Sequence, residues 1–203
     1  MHVADLKRFA ALWDEGGYYF DTDHIAIRDF APLAGGAYSS VWGRQVNNVT
    51  AVGAFLTVPR NPLIRAMRAA MHRRFDGSWS KHSTFMVNSI LGSPGYGGGH
   101  ARAQEWVPSD TLVLPYPQMF PFGWQRFLYS GSRRSLMRGQ GFDWDAPRPV
   151  YSVHLFHAAQ KAVLRNFSCD DLKRNNTNIA VALHMAVDDV GDLCTKLDTF
   201  APF

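Results

Sequence analysis

Apolar residues in 4–15 recur at helical spacing: Leu6, Phe9, Ala10, Leu12 and Trp13 share a face, and Gly16-Gly17 supplies a natural stop. The pattern predicts a helix over 4–15. The next apolar run, Tyr18-Tyr19-Phe20, is short and aromatic; it predicts a buried strand that ends in Asp21-Thr22-Asp23. Residues 24–28 alternate and predict a continuation of that strand, broken by the turn signal Asp29-Phe30-Ala31-Pro32-Leu33. Residues 49–58 are rich in β-branched and apolar residues, as a central strand requires. Asn61-Pro62 then reads as the cap and first residue of a second helix. Its apolar stripe is Leu63, Ile64, Met67, Ala70, Met71 and Phe75, with Arg65, Arg68, His72 and Arg73 on a solvated opposite face.

Residues 79–91 predict a loop entering another helix, and 92–105 a glycine-rich surface loop without periodicity. Those glycines lack the Gly-Lys-Ser/Thr ending of a phosphate loop. A short strand is predicted at 111–114 and a late one at 151–157, in which His154 faces away from Val153 and Leu155. The segment 130–149 is loop-like, the aromatic cluster from Phe120 to Trp124 reads as packing, and the chain from 158 onward predicts helix in pieces, strongest over 179–187. Strands alternating with helices predict an α/β fold, organised as one domain over the 203 residues.

Composition refines this in three ways. At 46% hydrophobic and 13% aromatic, the chain can bury a core. The net charge of +4 is dispersed apart from Arg73-Arg74 and Arg133-Arg134, whereas a nucleic-acid binder concentrates its basic residues on one face. No apolar run reaches transmembrane length, and the first residues lack a signal-peptide core. Cys169 and Cys194 have neither zinc nor redox spacing and suit one disulfide or two buried thiols. Asn48-Val49-Thr50, Asn166-Phe167-Ser168 and Asn175-Asn176-Thr177 are sequons, used only in a secretory lumen and on exposed loops.

The candidate chemistry lies at the end of the first strand. Asp21 and Asp23 present hard oxygens at a rigid edge, which suits a divalent cation shared with a phosphorylated ligand. Asp5 and Arg8 are three residues apart on the helix that precedes them. That spacing serves a surface ion pair equally well; its position directly before the Asp-x-Asp strand makes both residues site candidates.

Together, Asp5-x-x-Arg8, Leu12 and Gly16-Gly17-x-Tyr19-x-Asp21-Thr22-Asp23 resemble the DXD region of sugar-nucleotide glycosyltransferases of the GT-A fold. Later pieces, in order, resemble the alpha-1,4-galactosyltransferase/alpha-1,4-N-acetylglucosaminyltransferase branch: Gly53-Ala54-Phe55-Leu56, Trp79 before a helix ending at Leu91, Phe120-Pro121 with Trp124, and His154-Leu155-Phe156. The resemblance runs over about 4–165 and leaves 166–203 as a tail without an assigned role. It implies a GT-A-like, Rossmann-related mixed sheet flanked by helices, and a retaining transfer of a hexose from a nucleotide sugar, most simply a UDP-hexose, to a glycan or glycolipid.

By that resemblance Asp21, Asp23 and His154 would hold Mn²⁺ or Mg²⁺ on the donor diphosphate, and Asp5, Arg8 and Asp21 would bind the donor sugar. It names no nucleophile. It also implies a Golgi lumen location and an N-terminal nucleoside-binding part, with any membrane anchor, ahead of the single helix that precedes Asp21. Val52 stands where the family usually has Asn, Ser83-Thr84 and Asn88 replace its small residues and Thr, and Phe156-His157 replaces Trp-Asn. Those positions shape sugar specificity in the family.

Two other readings compete. A degenerate transferase domain would keep the motif without catalysis. A phosphatase of the haloacid-dehalogenase type also begins with an apolar strand ending in Asp-x-Asp, its first Asp a nucleophile, and Asp188-Asp189 resembles its late acidic pair. Its Ser/Thr and Lys have no convincing counterparts in the chain.

Overall fold

The computed structural model describes residues 2–46, 48–78, 81–91, 109–123, 142–145, 147–156, 161 and 164–199. Trp79, Trp124, Arg133-Arg134, His157 and the glycine-rich segment 92–105 lie outside the described residues.

The first predicted helix forms as α1 (His2–Asp14) and buries Phe9 and Leu12. Gly16 and Gly17 follow with φ of 67° and 94°, left-handed values that strain any side chain. At Gly16 a Cβ would also lie 2.6 Å from Pro59, so the glycine lets α1 turn closely onto the sheet. Strand β1 (Gly17–Phe20) is the sheet's edge, and its Tyr18 is exposed rather than buried as the aromatic run implied. The chain then leaves that sheet. The amide of His24 donates to the Asp21 carbonyl (3.0 Å), and the predicted continuation becomes β2 (His24–Ala26) of a separate sheet. The turn signal at Pro32 becomes a single short helix, α2 (Ala31–Ala34).

Strand β3 (Ser40–Arg44) was not legible in the sequence. β4 (Thr50–Thr57) is, as predicted, a central strand, buried along its whole length. With β5 (Thr111–Leu114) they make a four-stranded mixed sheet, order β1-β4-β3-β5, antiparallel except for the parallel β3–β5 pair. β2 pairs antiparallel with β6 (Ser152–His154), His24 opposite His154. The architecture is thus a mixed α/β fold, a mixed sheet flanked by helices, consistent with the GT-A-like expectation.

Helices α1, α3 (Pro62–Arg74) and α4 (Thr84–Leu91) cover one face of the large sheet. Asn61 caps α3 as expected, its side-chain oxygen accepting from the Leu63 amide at 2.8 Å. On that face Trp42 stacks on Phe55, ring centroids 4.2 Å apart and nearly parallel. The other face packs Val41, Ala54 and Leu56 against Phe30, Met119 and Phe120, so the large sheet is covered on both sides. Phe120 and Phe122 are core residues, in line with the packing reading.

Asn88 fastens α4 to β4. Its amide donates to the Thr50 and Thr84 carbonyls (both 2.7 Å), and its oxygen accepts from the Thr50 amide (2.8 Å). Both its oxygen and its nitrogen are spent inside the core, which gives this side chain a structural role. Asn88→Ala removes the side-chain partner of the Thr50 amide and carbonyl and is expected to cost about 1–3 kcal/mol. Urea unfolding measures the loss directly.

The C-terminal chain forms α5 (Cys169–Arg174), α6 (Asn178–Ala186) and α7 (Val190–Thr199). Ser168 and Asp171 close a capping box on α5, and the Cys169–Cys194 disulfide ties α5 to α7, choosing between the two states the sequence left open. Ile179 and Ala182 of α6 pack with Val150, Val153 and Ile27, buttressing the small sheet that carries His154.

Candidate metal and donor site

Three backbone segments converge where β1 ends. The Asp21 amide continues the β1–β4 ladder by donating to the Gly53 carbonyl (2.7 Å), which fixes the first aspartate against the central strand. Leu155 donates its amide to the Asp23 carbonyl (2.9 Å), which fixes the second against the end of β6. In β4 itself the register to β3 jumps: Trp42 faces Phe55 while Gly43 faces Ala51. Val52, Gly53 and Ala54 therefore bulge away from β3. The bulge sends the Val52 carbonyl toward α1, where Arg8 Nη1 donates to it at 2.5 Å. The Val52 side chain packs in the core.

The side chains follow from that frame. The structure brings Asp21, Asp23 and His154 together, each offering a possible ligand atom within 4.8 Å of the others. His154 Nε2 lies 3.0 Å from Asp23 Oδ1, which accepts a hydrogen bond in the tautomer that has the ring proton on Nε2. Its Nδ1 is buried without a hydrogen-bond partner among the described residues. Gly53 leaves the room these groups need: a Cβ there would stand 2.9 Å from Asp21 Oδ2 and 3.4 Å from His154 Cε1.

Arg8 and Asp5 do not form a surface ion pair. Both are buried, at 7% and 4% exposure, and Arg8 Nη2 bridges Asp5 Oδ1 and Asp21 Oδ1 at 3.2 Å each. The guanidinium also lies over the Tyr19 ring, 4.5 Å from its centroid. Tyr19 donates its hydroxyl to Asp21 Oδ1 (2.7 Å); burial, then this bond, pushes the phenol well above its usual range and keeps it a donor. Behind Asp5 stands His82, its Nε2 3.3 Å from Asp5 Oδ2. The sequence pattern gave His82 no role, since nothing in the turn before α4 marks it.

His24 stacks on His154, centroids 5.0 Å apart, and contacts the Ser152 hydroxyl through Nε2 (2.9 Å). Burial, and then the neighbouring His154, push its pKa down to about 3. His24 therefore adds no positive charge near neutral pH, while Asp5 and Asp21 share the Arg8 guanidinium and Asp23 faces His154. The hard carboxylate oxygens and one imidazole fit a divalent cation.

Residues 1–43 match a family model, the glycosyltransferase sugar-binding region containing the DXD motif. The match supports a glycosyltransferase-like function. It covers Asp5, Arg8, Tyr19, Asp21 and Asp23, whereas Gly53, His82 and His154 join the site through the fold. No curated protein and no solved structure matches the chain. DXD domains generally bind a divalent metal, in keeping with the cluster at β1. The rival acidic pair is otherwise engaged in part: Asp189 Oδ1 accepts from the Gly191 and Asp192 amides at the start of α7.

Two consequences are measurable. Tyr19→Phe keeps the ring under Arg8 but removes the donor to Asp21. Partners of metal ligands typically contribute about 10–100-fold in metal affinity, so calorimetric titration with Mn²⁺ should show a loss in that range. The second concerns pH. Since the folded His24 pKa, about 3, lies below the ordinary 6.5, the unfolded chain binds more protons between those values. Its contribution to stability is complete above pH 6.5 and is lost as pH falls toward 3. Thermal melts in chelator should fall across this window, less steeply in His24→Phe.

Proposed function

We propose that the chain is the metal end of a donor pocket in a hexosyltransferase that uses a nucleotide sugar, most simply a UDP-hexose, and a glycan or glycolipid acceptor. The carrying observation is the joining of Asp21, Asp23 and His154 with the buried Arg8–Asp5 pair in one site. Asp21, Asp23 and His154 hold Mn²⁺ or Mg²⁺, which when bound supplies positive charge to the departing nucleoside diphosphate. Arg8 and Asp21 form the sugar-facing side, with Asp5 anchoring the guanidinium from behind. Tyr19 and the Val52 carbonyl fix that pair, so the donors and acceptors are oriented before the ligand arrives. The small sheet keeps His154 against Asp23, and Phe156 packs on the imidazole, 4.0 Å between centroids. Transfer is proposed to retain the alpha configuration, in the manner of the alpha-1,4 branch that the sequence resembles.

A secretory-lumen location, the Golgi in a eukaryote, accords with the Cys169–Cys194 disulfide, since such bonds persist in oxidising compartments. Asn175 of the third sequon sits exposed at the left-handed turn that ends α5. In a secreting eukaryotic host, peptide-N-glycosidase should sharpen and shift the protein band, and Asn175→Gln should reduce that shift.

The activity test is release of nucleoside diphosphate from a panel of nucleotide hexoses in Mn²⁺, with and without oligosaccharide or glycolipid acceptors. Acceptor-stimulated release of UDP, with a retained anomeric centre in the product, is the expected result. Binding without any release would favour the non-catalytic domain. Hydrolysis of a simple phosphate ester would favour the phosphatase.

A further inference from the structure

The donor-site reading leaves one buried titratable side chain without a task. His82 is 1% exposed, sits in the turn before α4, and packs its ring 5.1 Å from that of Phe75. Its Nε2 faces Asp5 Oδ2 at 3.3 Å, while the other oxygen of Asp5 holds Arg8. Arg8 in turn reaches Asp21. A continuous polar chain, His82–Asp5–Arg8–Asp21, thus runs from the α4 turn through α1 to the first aspartate of the Asp-x-Asp pair.

We propose that His82 is a positioning residue for the donor site, setting Asp21 through Asp5 and Arg8; the proposal rests on the metal-site reading above. Two partners, Arg8 and His82, compete for the Asp5 carboxylate. Asp5 is the inner carboxylate and its two oxygens point in different directions, one to α1 and one to the α4 turn. With an N–H donor on Oδ2, the carboxylate plane is fixed and only Oδ1 serves Arg8. Without that donor, Asp5 is free to turn both oxygens onto the guanidinium in the bidentate mode that arginine favours. Arg8 is then drawn inward, away from Asp21 and the Val52 carbonyl. Asp21 keeps Tyr19 but loses the ion pair that orients it toward Asp23 and His154. His82 never touches the metal site; its influence passes entirely through the two residues of α1.

The test is Mn²⁺ titration by calorimetry on the whole chain, with thermal melts in chelator as a folding control. His82→Phe keeps a ring against Phe75 and removes the donor; His82→Gln restores a side-chain N–H of similar reach. The expected result is Mn²⁺ affinity at least about threefold weaker in His82→Phe, within the range by which buried networks modulate distant sites. His82→Gln should recover to within about twofold of wild type. In an Asp5→Asn background His82→Phe should have no further effect, because residues acting through one another are non-additive. If His82→Phe fails to fold, His82→Asn, whose shorter amide falls short of Asp5, is read in its place.

Wild-type affinity in His82→Phe overturns the proposal. So does equal loss in the Phe and Gln variants, or a full additive loss in the Asp5→Asn background, each of which marks a packing role. Failure of the wild type itself to bind Mn²⁺ defeats the underlying metal-site reading, and that failure is separately visible because it precedes any substitution.

Discussion

Asp23→Ala is expected to abolish Mn²⁺ binding while leaving the protein folded. The substitution removes one of three ligand groups and also the carboxylate that holds His154 Nε2 at 3.0 Å, so two ligands are lost from position together. Affinity should fall by more than about 100-fold, beyond the ~10–100-fold that supporting partners contribute. Folding should change little, because both side chains are partly exposed (24% and 12%) and the substitution leaves the residue-23 carbonyl to accept from the Leu155 amide. Calorimetric titration with Mn²⁺, beside melts in chelator, separates the two effects. A large loss of melting temperature in chelator would make the pair structural instead.

Gly53→Ala is the second large effect, and it adds one methyl group. The new Cβ meets Asp21 Oδ2 at 2.9 Å, a distance real Cβ atoms do not show, and His154 at 3.4 Å. Asp21 cannot yield freely because Tyr19 and Arg8 hold its other oxygen. Either the carboxylate turns out of the cluster or the bulge in β4 shifts and takes the Val52 carbonyl from Arg8. Both outcomes separate the ligands, and a loss of Mn²⁺ affinity of about 10–100-fold is expected. Retained affinity would show that the bulge relaxes without disturbing the carboxylate. Overpacking of a buried strand commonly costs about 1–3 kcal/mol, so melts in chelator accompany the titration.

The elements that were legible in the sequence are those with a strong local period or cap. α1 and α3 have apolar stripes and stop or start signals, β4 is continuously apolar, and His154 alternates with core residues Val153 and half-buried Leu155. Strand β3 was illegible because Ser40-Val41-Trp42-Gly43-Arg44 is short and buried on both faces, which erases alternation. Its Gly43 makes way for Met119, whose Cβ would lie 2.5 Å from an added methyl, a contact far away in sequence. The passage from β1 to β2 was read as one strand because a turn closed by a backbone bond, His24 to Asp21, leaves little trace in side chains.

The site divides along the same line. Asp21 and Asp23 are neighbours in sequence and carry their own motif, and Asp5-x-x-Arg8 is a local helix pair. That the pair is buried, and that Arg8 reaches across to β4, depends on a bulge formed by long-range pairing. Gly53 and His82 act through the space they leave and the acid they face. Neither property has a one-dimensional signature.

Asp21, Asp23 and His154 are proposed to form a divalent-cation site for a nucleoside diphosphate. Electron paramagnetic resonance of Mn²⁺ titrated with the protein, alone and with UDP, tests it most directly. The free-ion signal should fall in proportion to protein, with tighter binding when UDP is present and none in Asp23→Ala. A free-ion signal unchanged by equimolar protein, with UDP as without it, would contradict the account.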